Sequence, residues 1–243
     1  MLLEVKQGMN KKIDILAFGA HADDVEIGMA ASIAKWTSEG KKVVICDLTE
    51  AELSSNGTVE NRKIEAAKAA SILGVEERIS LKIPDRGIYL TTEHIRMVVE
   101  VIRTYKPTVV FAPFLEDRHP DHGNCAKLVE EAIFSAGLKK FETSLNLPPH
   151  KPKSLYHYMI NGFHHPDFVI DVTNHMVKKV ESLEAYQSQF VMNSTGVRTP
   201  LTDGYIETVQ ARERMFGKEV GVKFAEGFKT KKPLILNMDV IGE

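Results

Sequence analysis

Cysteine is scarce in this chain: Cys46 and Cys125 are the only two among 243 residues, and their separation matches no paired metal or redox motif. A disulfide-stapled secreted scaffold is thereby excluded, and a reduced compartment fits. Long apolar runs are missing too. Nothing approaches the roughly 20 residues of a membrane span, and the opening "MLLEVKQGMNKK" is too polar for a secretory leader. Excess positive charge is absent, since 31 basic and 33 acidic residues leave a formal charge of −2. With no basic tract of five or more, nucleic acid is not an expected partner. No G-x-G-x-x-G follows the first predicted strand, which argues against a dinucleotide. The expectation is a soluble, cytoplasmic protein that acts on a small molecule, with neither nucleic acid nor membrane as partner.

What the chain does contain is enough apolar material, 43% of its residues, for one sizeable core. A single domain is expected over residues 9–243, with 1–8 as an extension outside the fold. Short β-branched or apolar runs alternate with segments of helical period, the pattern of an α/β, Rossmann-like fold with a mostly parallel sheet flanked by helices. "KIDILAFG", "KVVICDLT", "RISLKIPD" and "PTVVFAPF" read as strands one to four. Between them lie helices over "VEIGMAASIAKWTSEG", Thr58 to Leu73 and "TEHIRMVVEVIRTY", punctuated by Gly40, Gly74 and Pro107. Pro120 suits the first turn of a helix reaching Ala136. Further on, "SLYHYMI" and "DFVIDV" read as strands, Thr173 to Phe190 as one long helix, Tyr205 to Phe216 as another, and "PLILN" as a final strand. The polar stretch from Met192 to Asp203 reads equally as a lid or a linker, and His164 and His165 as surface loop.

In a sheet of order 3-2-1-4, strands one and four are neighbours, and ligands bind beyond their carboxyl ends. Those ends carry "HADD" and "HPDH". His21 and Asp24, three residues apart at a strand-to-helix turn, can be joined by His122 from the opposite helix start. Two imidazoles and a carboxylate form a catalytic zinc site when a position stays open, although the same donors also hold iron(II). Asp23 would remain free beside the metal as a general base. The plainer alternative is that these Asp and His residues cap helices.

"AHADDVEIG" followed by "RHPDHGN" resembles the LmbE-like and PIG-L family of zinc-dependent N-acetylglucosaminyl deacetylases, whose first motif is usually Ala-His-Pro-Asp-Asp-x-Glu. Ala22 replaces that proline, which is not a ligand. "NRKIEAAKAASILG", "PDRG" and "KVESLEAYQSQF" extend the resemblance over most of residues 13 to 228, with Tyr186 where many relatives have His. The likeness is greatest to the bacillithiol-pathway branch, which deacetylates N-acetylglucosaminyl malate. It implies His21, Asp24 and His122 as zinc ligands, Asp23 as base, His119 in protonated form as oxyanion stabiliser with Asp121 orienting it, an amino-sugar substrate and a homo-oligomer.

Three further residues are candidates for binding substrate. Arg62, early in the second helix, has a planar fork suited to a carboxylate; a solvated surface group is its plainer reading. Asp85 follows strand three and can accept sugar hydroxyls, or merely serve a turn before Gly87. Glu50 is similar. Competing functions are a Rossmann-like binding module without catalysis, an iron(II) oxygenase, and a deacetylase of another conjugate such as a chitooligosaccharide.

Overall fold

The computed structural model describes residues 12–192, 194 and 196–235; the expected extension at 1–8 lies outside the described residues. Strand β1, Ile15–Gly19, is buried along its whole length, as is β2, Val43–Asp47. Continuous burial is what a parallel strand covered on both faces requires. β3 is Glu77–Ser80 and β4 is Val109–Pro113. Helix α1 spans Asp24–Ser38. Helix α2, Val59–Leu73, starts where the Thr58 side chain accepts from Asn61 N and stops at Gly74, whose φ of 69° suits a residue without Cβ. Thr91 caps α3, Thr92–Tyr105, in the same way. α4, Pro120–Ala136, opens with its proline in the first turn.

The second half adds β5 (Ser154–Tyr158), β6 (Phe168–Asp171), α5 (Met176–Glu184), α6 (Gln187–Phe190), a 3₁₀ turn at Pro200–Thr202, α7 (Tyr205–Glu219) and β7 (Ala225–Lys229). The sheet runs β3-β2-β1-β4-β5-β7-β6. Its pairings are parallel from β3 to β5, while β7 is antiparallel to β5 and β6. Side chains of β1 alternate between two cores. Leu16 and Phe18 pack with Val98, Ile102 and Leu128 from α3 and α4, whereas Ile15 and Ala17 pack with Ile33, Ala69 and Phe190 from α1, α2 and α6.

Two predicted elements need correction. The helix expected from Thr173 to Phe190 is two helices, broken at Ala185 and Tyr186, because Tyr186 turns inward and donates its hydroxyl proton to buried Glu26 at 3.0 Å. The last strand is not "PLILN": Pro233 to Ile235 lie outside any strand, Ile235 is 85% exposed, and residues from 236 fall outside the described set. β7 takes that place in the sheet with "AEGFK", a segment whose charge and glycine hide its burial. A Cβ on Gly227 would stand 2.8 Å from Met159 Cε and 2.9 Å from the Phe216 ring, so the close packing there requires glycine.

Glu226 of β7 also explains an irregularity in α1. Helical geometry fails at Met29 (φ −151°, ψ 20°), and the amides just beyond, Ala31 and Ser32, donate to the Glu226 carboxylate at 3.0 and 2.7 Å. The carboxylate acts as an N-cap borrowed from another element. Its charge is balanced by Lys179 at 2.6 Å, which also meets Glu213 at 2.6 Å. Among the described residues no helix is long and apolar enough to cross a membrane.

Candidate active site

Beyond the carboxyl ends of β1 and β4, the two motifs meet. The turn after β1 brings Asp23 to φ 111° and ψ −24°, a region that residues with a Cβ rarely adopt and that Asp tolerates better than most. Asp23 stands at the N-cap of α1, and its carbonyl accepts from Ile27 N at 2.9 Å. Its side chain caps no amide. Instead the carboxylate faces Arg62 Nη1 at 3.2 Å, and Arg62 Nη2 donates to the Ala22 carbonyl.

Asp24 lies between two imidazoles. His122 Nε2 is 3.1 Å from its Oδ1 and His21 Nδ1 is 3.5 Å from its Oδ2. The outer nitrogens are also held by acids: His21 Nε2 is 3.2 Å from Asp85 Oδ1 and 3.6 Å from Asp121 Oδ2, and His122 Nδ1 is 2.9 Å from Asp117 Oδ1. His119 stacks on His122 with ring centroids 4.9 Å apart, and the nitrogens offered by His21, His119 and His122 lie within 4.8 Å of one another. Carboxylates on the outer nitrogens of inward-facing imidazoles are what metal-ligating histidines require. Donor type, burial and backing therefore all fit a divalent cation.

Electrostatics point the same way. Burial opposes charge on His122, but Asp24 and Asp117 outweigh it and raise its pKa to about 9. His21 is likewise raised, burial being overcome by Asp121, Asp24 and Asp85. Asp24, despite burial, is held well below the usual carboxylate range by His122 and His21. This cluster of anions calls for positive charge at its centre. Asp23 behaves oppositely, for burial pushes it up to about 6 although Arg62 pulls it down. His119 is lowered, first by burial and then by His21 and His122.

His21, Asp23, Asp24, His119 and His122 line a pocket of about 260 Å³ together with Leu53, Arg86, Arg118, Asn161 and Gln189. The family model described as "PIG-L: GlcNAc-PI de-N-acetylase" matches residues 16–133, the segment that carries both motifs. The chain belongs to the PIG-L family. A conserved protein of Thermus thermophilus, TT1542, is 32% identical, with 92% of this chain and 97% of that chain covered and a TM-score of 0.84. The diacetylchitobiose deacetylase of Thermococcus kodakarensis is 27% identical over 97% of this chain and 89% of its own length. A probable N-acetyl-alpha-D-glucosaminyl L-malate deacetylase 2 of Bacillus anthracis is 24% identical over 85% of this chain and 94% of its own.

In this PIG-L protein several expected contacts are not the ones made. Arg62 lines the pocket but is 3% exposed, with Asp23 and the Ala22 carbonyl as its partners, and lies 5.5 Å over the Tyr186 ring. Asp85 spends both oxygens inside the protein, on His21 and on Leu53 N at 3.1 Å. Glu50 stays out of the pocket, paired with Lys63 at 2.7 Å. Asp121 does not turn its carboxylate to His119; it binds Arg86 Nη1 at 2.7 Å and Arg86 N at 2.9 Å. The backbone amide of Asp121 orients His119, by donating to its Nδ1 at 3.3 Å. An Nδ1 that accepts leaves Nε2 as the nitrogen free to donate.

Other residues were not anticipated. Asp117 precedes His119 by two in "EDRHPDH", and an acid that close to a ligand-bearing turn is a readable signal. Arg118 stands beside it, exposed at the pocket wall and in no ion pair among the described residues. Asn161 lies just beyond β5, where the strand-end rule could have found it. Gln189 carried no signal. Of the polar stretch from Met192 to Asp203, Val197 is tied to the Asn56 side chain by bonds of 2.7 and 2.8 Å. His164 packs edge-on against Phe114, away from the pocket.

Proposed function

We propose that this protein is a metal-dependent hydrolase that removes the acetyl group from an N-acetylglucosamine derivative, with N-acetylglucosaminyl malate as substrate and zinc as metal. The observation that carries the reading is the division of labour in one turn. Asp24 lies between His21 and His122, whereas the adjacent Asp23 is turned away from every helix amide and held by Arg62. A module in which these residues only cap helices would have no use for that geometry.

His21, Asp24 and His122 would hold the ion. When bound, zinc would supply Lewis acidity and lower the pKa of a water in its shell from about 16 to about 7. Asp23 takes the proton of the attacking water and returns it to the departing amine nitrogen. His119, fixed by the Asp121 amide, directs its Nε2 proton at the carbonyl oxygen, where negative charge grows. Among the described residues of the pocket, Arg118 is a cation open to a malyl carboxylate, because Arg62 is already engaged. The deacetylases among the relatives support the reaction, and the similarity to the Thermococcus diacetylchitobiose deacetylase favours a second substrate, diacetylchitobiose.

Acetate release from N-acetylglucosaminyl malate, N,N′-diacetylchitobiose and free N-acetylglucosamine, with zinc added, tests reaction and substrate together. Fastest turnover of the malate conjugate is expected. Preference for the chitobiose would move the substrate to the second reading, and no acetate from any of them would overturn the hydrolase itself.

A further inference from the structure

We infer that Asp117 is a positioning residue for the metal site, its carboxylate holding the outer nitrogen of His122 so that the inner nitrogen faces Asp24. The inference rests on the reading of His21, Asp24 and His122 as the ligands. Asp117 lies between β4 and α4, and its side chain is 3% exposed. Its Oδ1 accepts from His119 N at 2.8 Å and Asn161 Nδ2 at 2.9 Å, and stands 2.9 Å from His122 Nδ1. Its Oδ2 accepts from Asn161 N at 3.0 Å. A turn residue that served only the local backbone would need the His119 contact and nothing more.

The remaining contacts connect distant parts of the chain to one imidazole. Asn161 Oδ1 accepts from the Tyr205 hydroxyl at 3.1 Å, so a run of polar contacts leads from α7 through Asn161 and Asp117 to His122. The Nδ1 contact lies off the direction of a linear ring N–H bond and is an ion pair here. Charge is therefore the larger part of what Asp117 supplies. A carboxylate at the outer nitrogen fixes which nitrogen is free for a metal and makes it a better donor, and loss of such a partner typically weakens metal binding about 10–100-fold.

Asp117→Asn keeps an acceptor oxygen for the His119 turn and removes the charge. Zinc affinity, measured by competition with a chromophoric chelator, should fall about 10–100-fold, while the melting midpoint of the metal-free protein stays near that of the parent chain. Asn161→Ala takes away an amide partner and leaves the charge, so it should weaken zinc less. In the zinc-loaded parent, long-range proton–nitrogen spectra should place the His122 proton on Nδ1. Zinc affinity of Asp117→Asn within twofold of the parent, or equal losses in the two variants, would overturn the assignment and leave the metal site standing. A parent chain that binds no zinc would overturn both.

Discussion

At φ 111°, Asp23 sits in backbone space that typically costs about 1–3 kcal/mol, and its buried carboxyl has been raised to about 6. Neither feature helps the protein fold, and both suit the general-base role proposed for Asp23. Asp23→Asn should retain zinc yet lose turnover by at least the ~10²–10⁴ that a general base contributes, whereas His122→Ala should lose the zinc. Metal analysis beside acetate release checks both, and unimpaired turnover in Asp23→Asn sinks the assignment. Arg62 supplies a second test. The base works ionised, so turnover falls as pH falls through the Asp23 pKa; removing the guanidinium raises that pKa and moves the loss to higher pH. Arg62→Met should accordingly shift the acid limb of kcat/KM upward, and an unmoved limb would show that Arg62 does not tune the base. Arg62 was legible in the sequence as a site residue, but the anion it meets was not, because Asp23 comes from another element.

Element boundaries were legible where caps and period agree. Thr91 before "TEHIRMVVEVIRTY" and Pro120 before Ala136 mark α3 and α4 as they stand. The break between α5 and α6 was hidden, since Leu183, Tyr186 and Phe190 keep a helical spacing through it and all three are buried. β7 was hidden for the opposite reason: a buried Glu226 looks like surface until Lys179, from a helix some 50 residues earlier, is placed beside it. That lysine joins α1, α5, α7 and β7, being wholly buried between Glu213 and Glu226. Lys179→Met leaves two buried carboxylates short of a partner and should destabilise the fold by about 3–5 kcal/mol, measured by urea unfolding. The loss should also depend on pH. Glu213, buried but held below its ordinary value of 4.5 by Arg212 and Lys179, contributes stability above that value and loses it as pH falls through the folded pKa. The parent and variant should therefore converge in acid; a constant difference down to the acid transition would show that the charge pairing is not what Lys179 supplies.

For the molecule as a whole, strand order was the most legible feature. Parallel pairing of β1 with β2 and β4 puts both motif-bearing ends on one edge, and from there the convergence of His21, Asp24 and His122 follows. The rest of the pocket lining was legible only in part: Arg118 adjoins the second motif and Asn161 follows β5, but Gln189 comes from the short helix α6 with no signal of its own. Asp23, Asp24 and Asp85 make the pocket acidic before a metal is counted, so an anionic aglycone needs an unpaired cation, and among the described residues Arg118 stands where it can meet one. Arg118→Ala should lower kcat/KM for N-acetylglucosaminyl malate more than tenfold, about 1.4 kcal/mol, and change turnover of diacetylchitobiose much less. Arg62→Lys should reduce both substrates alike, since a single ammonium cannot hold Asp23 and the Ala22 carbonyl as the planar fork does. Were Arg62→Lys to harm the malate conjugate alone, Arg62 would be the carboxylate anchor after all, and its bond to Asp23 would have to open when substrate enters.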